Sequence, residues 1–491
     1  MKPYLTTAVA LCLAAQLPAA SLEREIARLV DASPAGRNAF WGIEIVDLGS
    51  GKTLYARNAE RLFVPASNTK LFTAALALDR LGQDFRFHTR VLAEAPPDAD
   101  GRIRGPVRLV GGGDPNLSAR AVPYRAGPVT GNPLAPIEEL ADQVVARGVK
   151  RIDGGIIGDD TWYVWEPYPE GWAIDDTRYE YGAPVSALTV NDNTLTVTVR
   201  PGARAGDLAD VSLVPALEYY NLDNRVRTVA AGGALKIQLD REPGSRQVRI
   251  WGTIPVRSVG ESLDLAVDDP AEFAARALRR ALEDRGVTVE GEVDTRHRYP
   301  NEESTQPEPD GIELARHDSA RLIDDLAITA KVSQNLHAEL ALRAVARARR
   351  NVGSRQAGLD EMKAFLSEIG VAPDAYNFSD GSGLDRTDLV TPEAVVKLLS
   401  HIYASPLREP WIAFLPVGGL DGTLSTRFPD SAAGRRIHAK TGTLTHVSAL
   451  SGYAERRDGT WVAFSILVNN HNGPATEVRS VIDRICTLIV E

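Results

Sequence analysis

Apolar and polar positions alternate in two runs near the N-terminus, "FWGIEIVDL" at 40–48 and "TLYAR" at 53–57, separated by Gly49-Ser50-Gly51. A period of two on either side of small turn residues predicts an antiparallel hairpin. The next run differs in kind. Residues 71–78, "LFTAALAL", are apolar on every side, which predicts a helix buried all round. From 89 to 308 short β-type runs dominate, among them "RIRGPVRLVGGG", "NTLTVTVRPG", "ALKIQLDR" and "RQVRIWGTI". Helical periodicity interrupts them at 136–147 and 270–285. Residues 319–331 and 337–349 then read as two helices, Asp458-Gly459 as a tight turn between two strands, and 474–488 as a closing helix.

The hairpin turn holds a decoy, since "GSGKT" at 49–53 resembles the end of a phosphate-binding loop. That motif needs a glycine at position 46, which is Val46, and a helix after the lysine, where this chain reads as strand. A turn is the better reading.

At 491 residues and 44% hydrophobic content the chain exceeds one ordinary core, so two or three domains are expected. The strand-rich middle reads as an insertion, with the acidic, Pro-rich stretch 299–311 as the return linker. N- and C-terminal strands would then share one core split in sequence. A net charge of −10 argues against nucleic acid as a partner.

The first twenty residues carry Lys2, an apolar run from Tyr4 to Leu17 and then Pro18-Ala19-Ala20, the pattern of a cleaved secretory signal; an uncleaved anchor is the alternative. The run is too short to span a bilayer, and no later stretch is long enough. Cys12 follows Leu11, where a lipoprotein signal needs a small residue. Cleavage leaves Cys486 alone, so no internal disulfide forms. An exported chain without an integral membrane segment, free or peripherally attached, is expected.

Three short motifs carry candidate chemistry. Ser67 and Lys70 lie one helical turn apart at the start of the buried helix. Desolvation there lowers a lysine's pKa toward that of a base, and a helix N-terminus favours a developing oxyanion. Alone, the pair reads equally as an N-cap with a snorkelling lysine. Ser333-Gln334-Asn335 separates two helices and by itself reads as a cap or loop. Lys440-Thr441-Gly442 lies on a strand, where glycine admits close backbone approach and a lysine beside a threonine suits a carboxylate. Occurring in this order on helix start, loop and strand, the three together resemble the signature of the penicillin-binding protein and serine β-lactamase superfamily.

The long insertion between the first two motifs narrows the resemblance to the D-alanyl-D-alanine carboxypeptidase/endopeptidase family, peptidase family S13. So do "LVGGGDPNLS" at 109–118, "GDDTW" at 158–162, "YGAPVSALTVNDN" at 181–193 and "SDGSGLDR" at 379–386. The resemblance covers essentially the whole chain after the signal. It implies an α/β (α+β) transpeptidase-like core, a five-stranded antiparallel sheet flanked by helices. The expected units are 1–20 signal, 21–88 with 309–491 catalytic, 89–199 with 258–308 inserted, and 200–257 a small β-rich domain nested in the insertion.

It also implies roles. Ser67 would attack the D-Ala-D-Ala carbonyl or a D,D-cross-link, with Lys70 as base. Ser333 and Asn335 would complete the proton network. Lys440 and Thr441 would bind the terminal carboxylate, with Gly442 beside them, and the N–H groups of Ser67 and Thr443 would form an oxyanion hole. Arg386 would touch the stem peptide, although the family commonly has serine at the neighbouring position, here Asp385. Asp160 would match an inserted-domain aspartate that in some relatives binds the amino group of a diamino acid. Peptidoglycan peptides are the expected substrates and β-lactams covalent inhibitors, with no metal or organic cofactor. His438 and His471 are not needed. A β-lactamase or esterase on the same core, or a non-catalytic wall-binding relative, are the rival readings.

Overall fold

The computed structural model describes residues 19–300, 302, 310–428 and 431–491. The signal expected at 1–20 lies outside them, apart from Ala19 and Ala20, which open the helix Ala19–Ala32. Cys12 and most of the expected linker lie outside them too.

The hairpin forms as its alternation predicts. Phe40–Asp47 pairs antiparallel with Thr53–Arg57, and Gly51 takes φ +69° in the turn. Asp47 Oδ1 accepts the Ser50 N–H at 2.7 Å, so the decoy "GSGKT" is an Asx-type turn with Lys52 exposed. Phe40–Asp47 also pairs with Trp461–Asn469, which continues the sheet through Val447–Glu455 to Ile437–Leu444 at one edge. Both ends of the chain therefore build one five-stranded antiparallel sheet.

Val447–Glu455 and Trp461–Asn469 are buried almost without a break because helices cover both faces. On one face Ala449, Tyr453, Ala463 and Leu467 meet the helix Thr69–Leu81 and its neighbours. On the other, Leu450, Ala454, Phe464 and Ile466 meet Ala19–Ala32 and the closing helix Ala475–Val490. Within Thr69–Leu81, Leu71, Phe72, Leu76 and Leu78 are at most 3% exposed. Each such side chain contributes about 2 kcal/mol on burial. Tertiary packing, not propensity, thus holds this 13-residue helix.

The insertion has its own core. A second five-stranded sheet runs in the order 293–296, 156–159, 107–110, 88–93, 312–318, with Ala135–Ala146 and Pro270–Glu283 packed on it. Ile312–Asp318 pairs with His88–Ala93, so this sheet extends past the boundary expected near 309. Beside a small three-stranded sheet in the order 288–289, 151–152, 102–103, two three-stranded sheets of longer strands lie in the insertion. One orders 261–266, 194–200, 210–214, the other 221–229, 247–255, 236–241, so β-rich structure begins before 200 and ends after 257.

Candidate active site

Ser67 sits in a short 3₁₀ turn, Ala66–Asn68, that runs directly into Thr69–Leu81. Ala66 has φ +49°, a left-handed conformation that costs a residue with a Cβ about 1 kcal/mol or more. The surroundings enforce it. Asn68 Nδ2 donates to Lys440 O at 3.1 Å, and Gly383, at φ +80°, passes so close that a Cβ there would fall 1.9 Å from Ala66 O. Gly442 performs the same service from the strand, where a Cβ would meet Pro65 O at 2.6 Å.

Lys70 is buried in the first turn of the helix. Its Nζ lies 2.9 Å from Ser67 Oγ, 2.5 Å from Asn335 Oδ1 and 2.6 Å from Ser382 O. Burial pushes its pKa down to about 7, outweighing the opposite pull of Asp380, Glu339 and Asp388. Near neutrality a large share of Lys70 is therefore the free amine, whose lone pair can accept the Ser67 proton.

A second lysine closes the cluster. Lys440 is fully buried, with Nζ 2.7 Å from Ser333 Oγ and 2.8 Å from Thr441 O. Desolvation and then the like charge of Lys70 hold its pKa well below the lysine range. Ser333 takes φ +64°, and the helix Asn335–Arg350 starts immediately after Gln334. Asn335 Nδ2 donates to Tyr181 O at 2.7 Å, joining the cluster to the inserted segment.

The strand Ile437–Leu444 is a sheet edge. Ala439 N–H donates outward to Pro416 O and Ile437 O accepts from Gly418, so by the period of two the N–H groups of Thr441 and Thr443 face the same open edge. Side chains alternate likewise. Lys440 and Gly442 face the serine turn, whereas Thr441 and Thr443 face Thr423 and Arg479.

The loop "SDGSGLDR" folds around one carboxylate. Asp380 accepts from the N–H groups of Ser382, Gly383 and Asp385 at 3.0, 2.6 and 2.9 Å, and from Trp172 Nε1 at 2.9 Å. That wrapping presents Ser382 O to Lys70. Asp388 accepts from Thr69 Oγ1 at 2.9 Å, and burial beside Asp380 raises its pKa well above the carboxylate range. Asp385 caps the turn through Thr387 N–H and Oγ1, both at 2.7 Å.

The remaining expectations divide. Arg386 is exposed and donates to Thr445 O at 3.1 Å, within electrostatic reach of Asp176. Asp160 is buried within the insertion instead. Its oxygens are engaged by Ser186 Oγ at 2.8 Å and His297 Nδ1 at 2.9 Å, and none of its bonds reaches the Ser67–Lys70 cluster. The inserted aspartate beside the cluster is Asp176, which accepts from Tyr181 Oη at 3.2 Å, on the residue whose carbonyl Asn335 binds. The run "IDDTRYEYG" offered acidic candidates, but not which of them faces the cleft. His438 lies against Trp461 and His471 bonds Ser448, and neither is bonded to Ser67.

A serine on a strained turn, a near-neutral lysine beside it and a second lysine–serine pair define an active-serine acyl-transfer type of site on a transpeptidase-like fold. The sequence matches the D-Ala-D-Ala carboxypeptidase 3 (S13) family over residues 22–488, and the chain belongs to that family. It is 38% identical over 453 residues to the D-alanyl-D-alanine carboxypeptidase of Actinomadura sp. (strain R39), covering 90% of this chain and 80% of that one. The D-alanyl-D-alanine carboxypeptidase DacB of Haemophilus influenzae is 25% identical, covering 91% and 88%. The crystal structure of penicillin binding protein 4 (dacB) from Haemophilus influenzae superposes with a TM-score of 0.81 at 22% identity, covering 95% of this chain and 99% of that one. The fold is thus shared across nearly the whole length.

Proposed function

We propose that this chain is a serine-type D-Ala-D-Ala carboxypeptidase that also opens D,D-cross-links in peptidoglycan, through an acyl-enzyme on Ser67. The observation that carries the reading is the bonded chain Ser67–Lys70–Asn335 facing Lys440–Ser333. Ser67 Oγ attacks the carbonyl carbon of the penultimate D-alanine while its proton passes to neutral Lys70 Nζ. The oxyanion is met by the N–H groups of Ser67 and Thr443. Collapse breaks the C–N bond, and the proton that Lys70 took is passed on to the departing amine by way of Lys440 and Ser333, which leaves Lys70 a free amine for the water step. Water then hydrolyses the Ser67 ester and restores the hydroxyl. A β-lactam follows the same first step, but its leaving nitrogen stays tethered by the opened ring, so the acyl-enzyme persists.

Asp176, rather than Asp160, is the inserted carboxylate we assign to the stem peptide, with Arg386 beside it. The three units follow the sheets, with the insertion closing after Asp318. An extracytoplasmic location is supported by the signal-type pattern of residues 1–20. Among the described residues no helix is long and apolar enough to cross a membrane.

Digestion of purified peptidoglycan by wild type and Ser67→Ala tests the reading. Loss of D-alanine from pentapeptides, and of cross-linked dimers, is expected with wild type alone. No serine-dependent change in either product would overturn it.

A further inference from the structure

The familiar carboxylate-binding assignment for the Lys440 motif meets a geometric difficulty in this chain. Lys440 Nζ is fully buried and committed to Ser333 Oγ and Thr441 O, on the face of the strand that looks at the serine turn. The hydroxyls of Thr441 and Thr443 are on the other face. They line a pocket of about 280 Å³ with Thr423, Gly442 and Arg479. Gly442 links the two, since it lines this pocket while a Cβ on its opposite side would lie 3.2 Å from Ala66 Cβ in the serine turn.

Four threonines, Thr423, Thr426, Thr441 and Thr443, line it with two arginines, Arg427 and Arg479. Arg479 Nη2 donates to Thr443 Oγ1 at 3.1 Å, and Thr441 Oγ1 lies 2.8 Å from Thr423 Oγ1. Among the described residues no carboxylate lies within 4.0 Å of Arg479, and Asp483, one helical turn on, reaches it only through longer-range electrostatics. The other arginine of the pocket, Arg427, is held by Asp483 through Nε at 3.0 Å, so its charge is already answered. Arg479 comes from the first turns of the closing helix Ala475–Val490, which packs on the same sheet face through Val478 and Ile482. Its approach to Thr443 is thereby fixed by the core rather than by a free loop.

We propose that Arg479 is a specificity-determining residue that receives the substrate's terminal carboxylate together with Thr441 and Thr443. The assignment rests on the acyl-transfer reading above and divides the labour of the strand. Lys440 serves the proton path on one face, and Arg479 supplies the cation on the other. A planar guanidinium matches a carboxylate better than an ammonium does. The carboxylate is remote from the bond that breaks, so its recognition acts mainly on KM.

The test compares a diacylated L-Lys-D-Ala-D-Ala peptide with its C-terminal amide, using the full chain as wild type, Arg479→Gln and Arg479→Lys. Arg479→Gln is expected to lower kcat/KM for the free acid about ten- to a hundredfold, mostly through KM, as loss of a charge-assisted hydrogen bond demands. The amide should be little changed, and Arg479→Lys should recover part of the acid rate. Equal losses on acid and amide would mean a structural role, and an unchanged acid preference would mean no role; either result overturns the proposal. Labelling of Ser67 by a fluorescent penicillin separates the two levels. If wild type labels while Arg479→Gln keeps its acid preference, this inference alone fails. If wild type neither labels nor hydrolyses the peptide, the acyl-transfer reading fails and takes the inference with it.

Discussion

In the proposed mechanism the chemistry turns on Lys70, because its free amine must exist at working pH. Burial brings its pKa to about 7 against three carboxylates that oppose the shift. Only the neutral form accepts the Ser67 proton, so acylation by benzylpenicillin should rise with pH through about 7 and level off above it. A rate flat from pH 5.5 to 8.5 would remove Lys70 as the base. Asp176→Asn is expected to weaken turnover of a stem peptide bearing a free diamino-acid amine while sparing one in which that amine is acylated. Asp160→Asn should instead lower thermal stability, because it breaks the buried pairing with His297. Steady-state kinetics on the two peptides and a melting curve check both. Ser67, Lys70, Asn335 and Lys440 were each ambiguous alone in sequence; only the three motifs in order, through their family resemblance, singled them out, and the structure brings all four into one bonded cluster. Asp176 was not singled out in sequence, because which inserted loop returns to the cleft is a tertiary fact that no local pattern carries.

At the scale of elements, the Ser333-Gln334-Asn335 loop is held by a buried network whose contacts the matching stretch 181–193 did not specify. Asn191, Asp192 and Asn193 take φ of +50°, +54° and +55°, a left-handed run that Asn and Asp tolerate best. It delivers Asp192 to His337, one turn into the helix that begins at Asn335, at 3.2 Å. Asp325 holds the other ring nitrogen at 2.8 Å, and Arg120 and Gln334 also engage Asp192. The two carboxylates outweigh desolvation and raise the His337 pKa to about 9. A histidine whose folded pKa is raised contributes stability that is complete below about 6.5 and is lost as pH rises through about 9. Wild type should therefore melt progressively lower between pH 6.5 and 9.5, and His337→Gln should melt lower throughout with a shallower slope. Equal slopes in the two proteins would contradict the pairing. Gly383→Ala tests the serine turn from outside the cluster. Its positive φ and the 1.9 Å approach to Ala66 O predict a loss of at least about 1 kcal/mol in stability and slower acylation. Unaltered melting and acylation would mean that this contact does not hold the turn.

The whole molecule explains why a catalytic core tolerates more than two hundred intervening residues. The five-stranded sheet is closed by hydrogen bonds between Phe40–Asp47 and Trp461–Asn469, so the insertion leaves and returns without interrupting it. Alternation at 40–57, the Asp458-Gly459 turn between two strands and the apolar run of the serine helix were the legible parts of this core, and its five-stranded form was implied by the family resemblance. The inserted sheet's last strand, Ile312–Asp318, was missed because "IELARHD" follows an acidic linker and pairs with residues more than two hundred positions earlier. Helices at 355–368 and 392–403 carry their own N-caps, Ser354 and Thr391, yet their faces have meaning only once "SDGSGLDR" is wrapped around Asp380 between them. The insertion also reaches the cluster through Tyr181, which bonds both Asn335 and Asp176, and the proposed function therefore gives it a part in substrate recognition.

The central claim is that Ser67 forms the acyl-enzyme, and mass spectrometry of the intact protein after benzylpenicillin, followed by peptide mapping, tests it most directly. One penicilloyl adduct on the peptide carrying Ser67, absent from Ser67→Ala, is the predicted result. No adduct on wild type, or an adduct that persists in Ser67→Ala, would contradict it.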